Sequence, residues 1–378
     1  MKKAKWGQLA LAAILLLGVV GCGDKDKEKE SGEALEVIKE GDYAALLPYQ
    51  SSDASIKHAT LNTNMIDTLQ IGTGLMELSK EYFSSDTHTF REGEFLDFDT
   101  LDAATDQSSG LLGRFNKKTN SIGLNPAIKD EFPVEGGGTV KIGASDILLL
   151  DIQEFDWYKN GELAGLSLAF VLNDEVGEEN NTQRIREDKM DVYAKETVRK
   201  AVNYIRKKIP GVGNDLPIFV ALYDINSVDE ALPGTFYQAA FFETKIDGDF
   251  YDIKENWVLF PTQQATDLDG ATAASFDRYK AAFKNVMPQD VSMIAKGHYM
   301  KNALQELRIQ VTLHASTSGE VMTAVQLLNK ELSEFPSDYM ITVDIQTDTS
   351  HVGVIQRDKG AKDTNVITLM YSYVIKRK

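Results

Sequence analysis

The chain is almost without cysteine. One thiol, Cys22, stands among 378 residues, so no internal disulfide staples the fold and stability must come from a packed core. Basic charge is also scarce. Lys and Arg number 40 against 57 Asp and Glu, a formal charge of −17. That balance excludes a surface built to neutralise nucleic-acid phosphates. Long apolar runs are missing beyond the first residues. Ile147-Leu148-Leu149-Leu150 is too short to span a bilayer and reads as a strand. Sequence signatures of common chemistry are absent too. There is no Gly-x-Ser-x-Gly elbow and no Gly-Lys-Ser/Thr loop. The histidines His58, His88, His298, His314 and His351 are scattered, with no i,i+4 pair of metal-ligand spacing.

What is present begins at the N-terminus. Lys2, Lys3 and Lys5 precede an apolar run from Leu9 to Val20, then Val19-Val20-Gly21-Cys22. A basic start, a short apolar core and a small residue make a secretory signal segment over residues 1–21. At about 12 residues the core falls short of the roughly 20 that a permanent span needs. Val19, Val20, Gly21 and Cys22 have the pattern of a bacterial lipobox. Cleavage is expected between Gly21 and Cys22, and lipidation on the Cys22 sulfur, through a lipid transferase and a signal peptidase. Each buried methylene contributes about 0.8 kcal/mol, and one acyl chain anchors only marginally. Two chains on one sulfur hold a protein stably at the extracytoplasmic face of the cell membrane.

Removing residues 1–21 takes away three lysines and no acid, so the formal charge passes from −17 to −20. Residues 22–33 (CGDKDKEKESGE) are charged and nearly free of hydrophobes, the composition of a solvated tether. The folded part is expected to be an N-terminal α+β region at 34–160 and a C-terminal α/β region at 161–378. In the first, the spacing predicts a helix at 73–83, a strand at 87–95 and one or two strands in 141–157.

The second region carries an internal repeat. A strand at 166–172 is followed by a helix ending at Lys208 with Val198, Val202 and Ile205 at helical spacing, a stop at Pro210, and a strand at 217–223. The order recurs with a strand at 307–313, a helix at 319–334, a stop at Pro336 and a strand at 339–345. Further strand-like segments follow at 235–243 and 351–356. A strand end at 257–261 and a helix at 274–286 lie between the units. The expected fold is α+β or α/β, with mixed sheets under covering helices and two related strand-helix-strand halves.

Two acidic runs, Asp97/Asp99/Asp102 and Asp247/Asp249/Asp252, lack the glycine and terminal glutamate of a calcium loop. Solvated turns explain them, while a carboxylate hydrolase would need two acids to converge in a cleft. Ile71-Gly72-Thr73-Gly74 is half a dinucleotide fingerprint and reads better as a helix start. No catalytic, cofactor-binding or metal-ligating residue is assigned.

An ordered set of motifs resembles the CamS family, the sex-pheromone precursor lipoproteins of low-GC Gram-positive bacteria. These are Leu46-Leu47-Pro48-Tyr49, the run from Gly74 to Phe83, Phe90-Arg91-Glu92-Gly93 and Gly123-Leu124-Asn125-Pro126. Farther on come Leu216-Pro217-Ile218, Ala221-Leu222-Tyr223, Pro233-Gly234-Thr235-Phe236 and Val258-Leu259-Phe260-Pro261. The chain departs from the pattern after Tyr49 and again past Ile345. The resemblance implies a precursor whose signal fragment, here Leu15–Gly21 or Ile14–Gly21, is released as a hydrophobic mating pheromone. It implies palmitate-type acylation at Cys22 and no catalytic residues in the mature domain. The repeat leaves open a second role, capture of a ligand between two halves, as in a solute-binding lipoprotein.

Overall fold

The computed structural model describes residues 36–40, 42–61, 67–101, 110–178, 181–226, 231–286, 291–315 and 317–368. The signal segment, the lipobox, Cys22, the tether and Asp102 lie outside the described residues.

A hairpin of β1 (Glu36–Glu40) and β2 (Tyr43–Leu47) opens the described chain, followed by α1 (Asp53–Leu61) and α2 (Thr68–Ser79). Strand β3 (Thr89–Glu92), helix α3 (Phe98–Leu101) and a small hairpin of β4 (Glu131–Pro133) and β5 (Thr139–Lys141) come next. The long strands β6 (Leu149–Lys159) and β7 (Glu162–Leu172) are closed by Asn160 and Gly161, both at positive φ (53° and 82°). Asn-Gly supplies that pair of left-handed residues at little cost. A second small hairpin, β8 (Glu175–Glu178) and β9 (Asn181–Arg184), leads into α4 (Glu187–Lys208), β10 (Ile218–Asp224), β11 (Thr235–Phe242) and β12 (Phe250–Asp252). The remainder is β13 (Glu255–Phe260), α5 (Gln263–Leu268), α6 (Gly270–Val286), β14 (Val291–Met300), β15 (Ala303–Leu313), α7 (Ser318–Glu331), β16 (Met340–Thr347), β17 (His351–Arg357) and β18 (Asn365–Thr368).

The strands form two mixed sheets. The first has eight in the order β1-β2-β3-β6-β7-β10-β11-β12, the second six in the order β13 to β18. The internal repeat is plain in their topology. In the first sheet β6–β7 is antiparallel, β7–β10 parallel and β10–β11 antiparallel. In the second, β14–β15, β15–β16 and β16–β17 repeat that sequence of directions. The parallel step in each needs a crossover, and α4 and α7 supply it. The sheets part between Asp252 and Glu255, whereas position 160/161, the expected region boundary, falls in the turn of the β6–β7 hairpin.

Burial explains why the two repeats read differently as sequences. The first sheet is covered on both faces. Leu168, Phe170, Val220 and Leu222 pack with Val198, Val202 and Ile205 of α4. Ala169, Val171, Phe219 and Ala221 pack on the other face with Ile71 and Leu75 of α2. The central stretches of β7 (166–172) and β10 (218–223) are therefore almost wholly apolar. The second sheet buries one face, with Leu307, Ile309, Val311 and Val343 beneath Phe276 of α6 and Leu328 of α7. Arg308 and Gln310 alternate outward, the period of a half-buried strand.

Helix α2 starts earlier than its apolar spacing predicts. The Asp67 side chain accepts from the Gln70 amide and sets the N-cap at 67. Ile71-Gly72-Thr73-Gly74 thus lies inside the helix rather than at a strand-to-helix turn. Gly74 is there for closeness: a Cβ would stand 2.6 Å from the Phe236 ring. Past Ile345, where the motif match fades, the chain still completes β16 and adds β17 and β18.

The Gly123-Leu124-Asn125-Pro126 motif acquires a physical reason. The buried Asn125 carboxamide donates to the carbonyls of Leu112 (2.9 Å) and Leu149 (2.8 Å) and accepts from the amides of Leu148 (2.9 Å) and Leu149 (3.0 Å). One side chain stitches the 110–126 loop to the start of β6.

Candidate functional site

In a sheet with parallel strands and a crossover helix, ligands sit where the strands end. Strands β7 and β10 end side by side, Leu172 opposite Asp224. Beyond them opens a cleft of about 480 Å³ between the N-terminal turn of α4 and the start of β11. It lies within the first half of the repeat, not between the halves as ligand capture by a cleft would have it. Six carboxylates line it, from Glu135, Asp174, Glu187, Asp188, Asp191 and Asp224, with Arg184 as the one cation among the lining residues.

The backbone brings these groups together from distant sequence. Asp174 follows β7, and its carbonyl takes the Ile185 amide at 2.8 Å, folding the β8–β9 hairpin back over the strand ends. Asp224 terminates β10. Gly234 lets the following turn come close, since a Cβ there would lie 2.0 Å from the Asp224 carbonyl oxygen. This explains the glycine of Pro233-Gly234-Thr235-Phe236.

Asn226 ties the floor. Its Nδ2 donates to Asp174 Oδ1 at 2.7 Å and to Asn173 Oδ1 at 2.9 Å, and its amide donates to Asp224 Oδ1 at 3.0 Å. Arg184 reaches Asp174 (3.3 Å) and Glu175 (3.3 Å). Burial pushes the Asp224 carboxyl up to about 7, and the neighbouring Asp174 charge adds to the shift. Burial also raises Asp174, with the Arg184 charge working against it. Burial tends to lower Arg184, but Asp174 and Asp224 outweigh it and hold the guanidinium more firmly charged. The Tyr237 hydroxyl and one Asp191 oxygen are shielded from solvent and have no hydrogen-bond partner among the described residues.

The same position in the second repeat is built differently. There His314 and Asp348 form an exposed pair, Nδ1 to Oδ1 at 2.8 Å. Helix α7 closes its own N-terminus with a capping box of Thr317 and Glu320. Helix α4 begins at Arg186 with no side-chain cap, its first turn carrying Glu187 and Asp188. The repeat is a shared scaffold, and its two copies carry different groups at this position.

Other residues singled out in the sequence do not converge. Asp97 and Asp99 are exposed around α3, where Asp97 accepts from the Thr100 amide at 2.8 Å. Asp247 and Asp249 lie on the exposed turn before β12, and Asp252, exposed at the end of β12, accepts from Gln238 at 3.0 Å. Among the described residues the two runs therefore stay apart rather than converge on a paired-acid site. Four histidines each take a different carboxylate: His58 with Asp151, His298 with Glu255, His314 with Asp348 and His351 with Asp344. Among the described residues no three His, Cys, Asp or Glu side chains group as a metal site. Asp174 and Asp224 were not visible as a pair in the sequence, being 50 positions apart in separate strand ends. The repeat itself was the available signal, since it locates the parallel strands whose ends matter.

Fold and cleft together define an α+β protein of two mixed sheets with a solute-sized acidic cleft at parallel strand ends. The chain belongs to the CamS family: the model of the CamS sex pheromone cAM373 precursor matches residues 49–363. The structure is similar to that of a sex pheromone precursor from Lactobacillus salivarius subsp. salivarius UCC118, with a TM-score of 0.76 and 22% identity, covering 90% of this chain and 100% of that one. It is also similar to the C-terminal domain of the sex pheromone staph-cAM373 precursor from Staphylococcus aureus, with a TM-score of 0.64 and 19% identity, covering 81% of this chain and 96% of that one. A comparison with curated proteins gives no match.

Proposed function

We propose that the chain is a lipid-anchored extracytoplasmic lipoprotein, not an enzyme, and that the end of its signal segment is released as a hydrophobic peptide. The observation that carries this reading is Val19-Val20-Gly21-Cys22 directly after a basic and apolar leader, with Cys22 the sole cysteine. Lipid transfer to the Cys22 sulfur and cleavage after Gly21 leave the folded domain on the outer face of the membrane. A second cut frees Leu15–Gly21, or Ile14–Gly21, which has no charged side chain to desolvate on entering apolar surroundings. Membership of a family described as sex pheromone precursors supports the release step. Fatty-acid labelling of growing cells tests the anchor: the wild-type chain takes up label, and a Cys22→Ala variant that still labels overturns it. Mass spectrometry of culture supernatant tests the release, with a discrete peptide ending at Gly21 expected.

For the mature domain, the acidic cleft favours capture of a small solute bearing an ammonium group. Ionised Asp224 and the free Asp191 oxygen offer acceptors for its N–H donors. The ligand binds the ionised form of Asp224, so its affinity falls as the pH drops below about 7. Titration with putrescine as probe, in the wild type and in Asp224→Asn, checks this. The variant is expected to bind at least tenfold more weakly and without the pH dependence.

A further inference from the structure

A second cleft lies on the opposite side of the first sheet's β6, where the sheet is incomplete. Strand β6 has 11 residues and β3 only 4, pairing Glu92 to Phe155 at its end. From Leu149 to Glu154, β6 therefore has no strand neighbour on that side among the described residues. Helix α1 lies there instead, held by a buried pair: His58 Nδ1 to Asp151 Oδ1 at 2.6 Å, the two side chains 3% and 2% exposed. Between α1, α2 and β6 this leaves a cleft of about 360 Å³.

The lining has two characters. Ile56, Leu69, Met76 and Phe155 give apolar walls, and Leu69 is 82% exposed, held out in water on the rim of α2. Ile56 on the facing helix is 55% exposed. Two large aliphatic side chains facing solvent across one cleft are a cost without a ligand. At the floor, Gln153 lines the cleft and is 8% exposed, and its amide nitrogen Nε2 has no acceptor among the described residues. A buried carboxamide donor left unpaired costs the full desolvation of the group. A ligand carbonyl would satisfy it. Asp151 and Glu92 add two carboxylates and no lining residue is basic, which disfavours fatty acids and phosphates. Ser51, Ser55, Thr68 and Thr73 supply hydroxyls that donate or accept.

We propose that this cleft binds a short aliphatic peptide without charged side chains, with a side chain between Ile56 and Leu69 and a backbone carbonyl on Gln153 Nε2. An amide carbonyl is a neutral acceptor, and aliphatic side chains match the walls. The volume holds two or three residues. The chain encodes one peptide of this class, Leu15–Gly21, and the inference rests on the proposed release only for that choice of probe.

The test is fluorescence anisotropy of dye-labelled synthetic Leu15–Gly21 with the mature lipidated protein in nanodiscs, against empty nanodiscs. Saturable binding to the wild type is expected. Leu69→Glu changes an exposed side chain, so the fold survives, and should weaken binding at least tenfold. Gln153→Met keeps the volume, removes the donor and should weaken it several-fold. Binding no stronger than to empty nanodiscs, or equal in wild type and Leu69→Glu, overturns the proposal. The supernatant measurement is independent of this outcome, so a failure of peptide release and a failure of peptide binding are told apart.

Discussion

Single residues show where sequence reading stops. From Leu149 to Trp157 the sequence places polar residues on both faces of the expected strand, Asp151 and Gln153 on one and Glu154 and Asp156 on the other. In the structure both faces are buried, and Glu154 and Asp156 are 3% and 0% exposed. Glu154 accepts from the Leu96 amide at 2.8 Å and Asp156 from the Glu94 amide at 2.7 Å, which steers the 93–96 turn onto the sheet. Burial and the Asp156 charge hold the Glu154 carboxyl well above the ordinary range. Burial pushes Asp156 up to about 7. The native state therefore keeps a proton that the unfolded chain releases near pH 4. The stabilisation is fully present below about pH 4 and is lost as the pH rises through about 7. Thermal melting across that range should show wild-type stability falling toward pH 8, with Asp156→Asn flatter and more stable than wild type at pH 8. Parallel curves would contradict the shared proton. Asn125, in contrast, lies in a motif the sequence reading had marked without a reason. Its four buried hydrogen bonds predict that Asn125→Ala lowers stability by about 3 kcal/mol or more in urea unfolding.

Among the elements, the crossover units were the most legible. Val198, Val202 and Ile205, like Val321, Val325 and Leu328, lie one helical turn apart and all face a core. A buried stripe of that period has few alternatives to a helix on a sheet. Helix starts were less legible because a cap is a local hydrogen bond. Asp67 sets the start of α2 ahead of two glycines that weaken its helical pattern. The capping box of α7 is a separable test: Thr317→Ala should lower stability by about 1 kcal/mol, read as a fall in melting temperature. Thr317→Ser should restore most of it. The Asn160-Gly161 pair was a hairpin signal in plain sight, and it stands where the region boundary was expected. Alternation of burial on β15 and its absence on β10 follow from one covered face against two.

At the scale of the whole molecule, topology sets where the cleft lies, at the adjoining ends of β7 and β10. The candidate cleft escaped sequence reading because its chemistry is assembled from strand ends, a hairpin arginine and a glycine turn. The junction between the sheets is likewise assembled from distant parts. Glu255 accepts from the Phe236 amide at 2.5 Å and contacts His298 Nε2 at 2.7 Å, while the His298 ring stacks on Trp257 at 4.4 Å. Arg308 also lies 5.2 Å from the Trp257 ring and donates to Gln70 of α2 at 3.2 Å. The proposed anchor at Cys22 belongs to the same scale. Intact-mass and N-terminal peptide analysis of the protein from washed membranes tests it most directly. The account predicts a mature chain beginning at Cys22 with a diacylglyceryl group on its sulfur, and loss of that species in Cys22→Ala. A mature chain that begins elsewhere, or carries an unmodified Cys22 thiol, would contradict it.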